Sequence, residues 1–70
     1  MYKKLFKLSG FSNTQIVKKL NIGHTQRIQF ERSKTIDIDK FILFAKQLEL
    51  DEIELSNMVV EEIIKRYKKL

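Results

Sequence analysis

Apolar residues return three or four positions apart through nearly the whole chain, and that spacing constrains the fold more than any other feature. Tyr2, Leu5, Phe6 and Ser9 share one face, Ile16, Val17 and Leu20 a second, and Phe41, Ile42, Phe44, Ala45 and Leu48 a third. Ile53, Leu55, Met58, Val59, Ile63, Tyr67 and Leu70 make a long final stripe, which Val60 and Ile64 widen. A period near 3.6 belongs to helices, whereas strands alternate with a period of two. The one alternating stretch, Thr35-Ile36-Asp37-Ile38, is too short for a strand and reads as a loop carrying Ile36 and Ile38 into the core. The expected class is all-α, a small bundle of five or six helices.

The breaks between these runs place the helix ends. There is no proline, and the two glycines, Gly10 and Gly23, fall between helical runs. A first helix ends at Ser9-Gly10. Ser12 can cap the second, with Gln15 three residues on completing a capping box. That helix stops near Asn21, Ile22 follows as an apolar plug, and Gly23 or Thr25 caps a third helix running to about Ser33. Two helices separated by three or four residues have helix-turn-helix spacing. Asp37 or Asp39 opens a fourth helix, an acid at its positive end. Asp51 caps the last segment, whose stripe leaves open whether one helix or two follow.

Seventy residues make one domain near the lower size limit for a single core, and without cysteine neither a disulfide nor a thiolate metal site can reinforce it. No run approaches the roughly 20 apolar residues of a membrane span, and the start lacks a signal-peptide pattern, so a soluble cytoplasmic protein is expected. Charge is unevenly placed. Residues 1–36 carry eight basic side chains against the single acid Glu31, a net +7, while residues 37–70 carry six basic and eight acidic ones, a net −2. Such asymmetry suits one face turned toward a polyanion.

Enzyme readings fail on inventory. One histidine, no cysteine and no glycine-rich phosphate loop supply no triad, metal site or cofactor cradle. Asp37 with Asp39, and Asp51 with Glu52 and Glu54, read as helix starts. By contrast, "NIGHTQRIQFERSK" (21–34) concentrates side chains that can read base edges, His24, Thr25, Gln26 and Gln29, beside Arg27, Arg32 and Lys34.

The stretch "SNTQIVKKLNIGHTQRIQFERSK" resembles the helix-turn-helix core of phage repressor and Cro-type proteins, the Xre family, and "DKFILFAKQLEL" resembles the helix that follows it there. Ser12, Asn13, Ile16 and Val17 stand where the family opens its second helix. Leu20 and Ile22 match the apolar pair around the turn, Phe30-Glu31-Arg32 the end of the recognition helix, and Ala45 and Leu48 a later alanine and leucine. The resemblance covers roughly residues 2–56. Asn21 replaces the usual turn glycine and Ser33 the glycine after Glu31-Arg32. Phe6 stands where the family often has an arginine paired with the glutamate, and Arg27 where it has an inward isoleucine.

The resemblance implies a repressor-like bundle that binds double-stranded DNA through its third helix, regulating transcription by occupying an operator. Carried over by position, His24, Thr25 and Gln29 face base edges, and Gln26 reaches a base or a phosphate. Ser12 and Asn13 offer the start of the second helix to a phosphate, and Arg32, Lys34 and Thr35 hold the next ones. Arg27 either pairs with Glu31 one turn away, with Phe6 filling the vacated space, or contacts DNA as a further phosphate ligand. Residues 1–56 form the DNA-binding unit. Residues 57–70 form a helix whose Met58, Val59, Ile63, Tyr67 and Leu70 either join a homodimer on a palindromic operator or complete the monomer core. The rival reading is a protein-interaction module, an antitoxin or antirepressor, whose last helix binds another protein. No cofactor is expected.

Overall fold

Five helices form between the breaks: α1 (Tyr2–Leu8), α2 (Asn13–Leu20), α3 (His24–Arg32), α4 (Ile38–Gln47) and α5 (Glu52–Lys69), with no strand. The computed structural model describes all of residues 1–70. The Ser12 hydroxyl accepts the Gln15 N–H at 3.2 Å while Gln15 Oε1 accepts the Ser12 N–H at 2.9 Å, so the expected capping box closes α2. Asn21 then takes left-handed angles (φ 54°, ψ 48°), the conformation that a turn glycine would otherwise supply and that asparagine tolerates. Asp37, not Asp39, caps α4, accepting the Asp39 N–H at 3.0 Å and the Lys40 N–H at 3.3 Å. Asp51 caps α5, which runs unbroken to Lys69, so the boundary expected between residues 56 and 57 falls inside one helix.

The core is ten side chains: Tyr2, Leu5 and Phe6 from α1, Ile16 and Leu20 from α2, Phe41, Phe44, Ala45 and Leu48 at α4, and Met58 from α5. Tyr2 is its hub. Its ring meets those of Phe30, Phe41, Phe44 and Phe6 at centroid distances of 4.9, 5.3, 5.8 and 6.1 Å, tilted or edge-on as aromatic quadrupoles prefer. Phe6 is buried among them, as expected for a residue filling apolar space.

Three apolar expectations are corrected. Ile38 is the first residue of α4 and stays half-exposed instead of entering the core, while Ile36 packs against it. Ile42 is half-exposed because Phe41, Phe44 and Ala45 already occupy the inner face of α4. Tyr67, at 78% exposure, lies beyond the end of the core. The cause is geometric: α5 is about 27 Å long at 1.5 Å per residue, and the molecule spans 36 × 24 × 19 Å. The helix outruns the other four. No helix is long and apolar enough to cross a membrane.

Candidate nucleic-acid interface

Of the five helices, α3 alone buries no residue completely. It is anchored by Phe30, whose ring meets Tyr2 at 4.9 Å and Phe44 edge-on at 5.2 Å, with the Lys40 ammonium 5.6 Å above it. Its second anchor is polar. Arg27 Nη1 donates to Glu31 Oε1 at 3.0 Å, one turn along the helix, and the two side chains are only 11% and 22% exposed. Arg27 Nε is buried with no acceptor. Of the two roles open to Arg27, the geometry shows the pairing with Glu31, and its placement among the phosphate contacts is corrected because the guanidinium is turned into the protein.

With Arg27, Phe30 and Glu31 inward, a step of about 100° per residue puts Thr25, Gln29 and Arg32 in a row on the opposite face. All three are exposed, as are His24 and Gln26 at the edges of that face. Gln26 is already partly engaged: its Oε1 accepts the Gly23 N–H at 2.9 Å and so caps α3, leaving only its amide NH₂ free. The signal was present in the sequence, since Gln26 follows Gly23 at the interval by which Gln15 follows Ser12. Ile28, not anticipated as a contact, is also exposed, three residues after Thr25. An apolar side chain there is suited to a thymine methyl.

Beside this row, the start of α2 is open. The capping box consumes the Ser12 N–H, which is therefore not available to a phosphate, contrary to expectation. The N–H groups of Asn13 and Thr14 have no acceptor within the chain, and helix N-termini with free N–H groups attract phosphate. Past α3, Arg32 and Lys34 are exposed cations, and Thr35 is exposed with its carbonyl accepting from the Ser33 hydroxyl at 2.6 Å. Glu31 is the only acid in the first 36 residues, and Arg27 neutralises it.

The residues expected at a dimer surface do not stay together. Met58 is fully buried in the protomer core and Val59 is half-buried against it, so these two are corrected to core positions. Ile63, Tyr67 and Leu70 remain exposed, with Ile53, Val60 and Ile64. A cleft between α1 and α5, with Glu31 of α3 at its edge, is lined by Met1, four lysines and three glutamates, and no cluster of His, Asp or Glu side chains is placed to hold a metal ion. Within it, a hydrogen bond from Arg66 at 3.2 Å holds the Glu62 carboxyl below its ordinary range. No protein-family model, curated protein or solved structure matches the chain.

Proposed function

We propose that the protein is a sequence-specific double-stranded DNA-binding regulator, placed in the cytoplasm and acting by operator occupancy. One observation carries the reading: α3 turns an unbroken polar row, Thr25, Gln29 and Arg32, outward while its only carboxylate is paired inward. An α-helix fits the major groove, where glutamine can bond an adenine edge at two points and arginine a guanine edge. Gln29 is thus the principal base reader, with Thr25, His24 and the free amide of Gln26 beside it, and Arg32, expected at a phosphate, shares the outward row and can reach either a phosphate or a guanine edge. Asn13, Lys34 and Thr35 hold phosphates on either side and set the register. The sequence resemblance to phage repressor and Cro-type regulators supports the same assignment.

A core this small reads few base pairs alone, so two copies on a palindrome would supply the specificity. The second reading, a protein-interaction module, is favoured by the exposed apolar side of α5. Selection from a random duplex pool at near-physiological salt decides between them. Retention of a two-fold motif with half-sites about one helical turn apart is expected. If no sequence is enriched, α3 does not read DNA and the search moves to protein partners.

A further inference from the structure

The last helix has two apolar sides, and the fold uses one. Met58, with half-buried Leu55 and Val59, faces the core. Turned away from it are Ile53, Val60, Ile63, Ile64 and Tyr67, with Leu70 just past the helix end; Ile53, Ile63 and Tyr67 are 69%, 61% and 78% exposed. These do not scatter. Ile53, Val60 and Tyr67 recur at seven-residue intervals, and Ser56, Ile63 and Leu70 follow each by three, the spacing of a seam that packs against another helix. An apolar surface of this length on a small protein marks a contact site.

Charge along α5 identifies the occupant. Its cap and first turn carry Asp51, Glu52 and Glu54 with no base, and its last turns carry Lys65, Arg66, Lys68 and Lys69 with no acid. Two such helices laid parallel would set acid against acid and base against base. Laid antiparallel, each acidic start meets a basic end. We propose that α5 pairs antiparallel with α5 of a second copy of this chain, about a two-fold axis passing near residues 61 and 62. The register that closes the seam sets Val60 against the partner subunit's Ile63, Ile53 against the partner subunit's Leu70, and Tyr67 against the partner subunit's Ser56. Where Tyr67 faces the partner subunit's Ser56, a large ring is set against a small side chain. The pairing stands on α5 alone and is independent of the DNA reading.

Sedimentation of the full chain at micromolar concentration should give twice the chain mass, and Val60→Glu should give a single chain with its helical spectrum kept, since Val60 is exposed and lies outside the core. A single-chain mass for the unaltered protein would overturn the proposal and leave the surface to a different partner. A dimer that survives Val60→Glu would overturn the assigned surface. The chain has no cysteine of its own, so direction is read by cross-linking. An equimolar mixture of Ile53→Cys and Leu70→Cys chains should form the mixed disulfide in preference to either homodimer. Preferential cross-linking of Ile53→Cys to itself would refute the antiparallel arrangement.

Discussion

Replacing Arg27 by alanine tests how α3 is held. The change removes the 3.0 Å bond to Glu31 and leaves a carboxylate, 22% exposed, without its counter-charge. Breaking one side of a fully buried pair costs about 3–5 kcal/mol, whereas an exposed pair one turn apart contributes ~0.5 kcal/mol at most. The exposures of Arg27 and Glu31 put this pair between those limits. Two effects reduce the cost. Arg27 Nε has no acceptor, so its removal relieves an unsatisfied donor, about 1 kcal/mol, and alanine is the better helix former by a few tenths of a kcal/mol. The net loss is about 1–2 kcal/mol, which in a domain this size lowers Tm by about 5–15 °C. Far-UV circular dichroism melts of wild type, Arg27→Ala, Glu31→Gln and the double variant give the coupling directly. The Arg27→Ala penalty should shrink once Glu31 is Gln, because the stranded charge is gone. An unchanged Tm in Arg27→Ala together with weakened DNA binding would refute the reasoning and put the guanidinium on the DNA.

Gly10 sits at φ +74° with open space around its Cα, so Gly10→Ala meets only a backbone penalty, about 1–2 kcal/mol, and should lower the urea midpoint without altering α1 or α2. Burial, and secondarily the charge of Asp37, hold the Tyr2 phenol above its usual pKa of 10.0. The folded chain therefore keeps that proton longer than the unfolded chain, and the associated stability is complete below about pH 10 and lost as pH rises through the folded pKa. Wild type should lose stability relative to Tyr2→Phe over that range in paired urea titrations; a pH-independent difference would refute the assignment. Gln29→Ala should weaken binding to the selected duplex by roughly 5- to 150-fold, the equivalent of about 1–3 kcal/mol for a base contact, with Tm unchanged. Lys34→Ala should weaken all duplexes alike and flatten the dependence of affinity on salt.

Features that depend on a few neighbouring residues were legible in the chain. Ser12 with Gln15, Asn21 in its turn and Asp51 before α5 follow from local hydrogen bonding, and each stands where the spacing put it. The pairing of Arg27 with Glu31 was legible for the same reason, being one turn apart. Burial was less so. The stripe on α5 is wide enough to serve either of two faces, and periodicity says which residues share a face but not which neighbour covers it. The stripe therefore groups Met58 with Ile63, although the core takes the first and leaves the second outside. Ile42 shares the periodicity of α4 but stays outside for the same reason, because three better-placed side chains fill the inner side of that helix. At the candidate site, Gln26 serves the cap of α3 before it can serve a ligand, and that competition appears only when Gly23 is seen as the cap.

The exposure of α3 and the polar character of its anchor belong to one solution. A helix that must leave most of its circumference open has room for little apolar contact, and here that is Phe30 alone. A second apolar anchor at position 27 would hold the helix down but would leave Glu31 half-buried without a partner. Arginine at 27 anchors through its stem and neutralises the only acid of α3. Thr25, Gln29 and Arg32 are exposed and pack against none of the core. Exchanging them for other side chains should leave Tm nearly unchanged, whereas exchanging Phe30 or Arg27 should lower it, so the outward row can vary while the bundle beneath it stays the same.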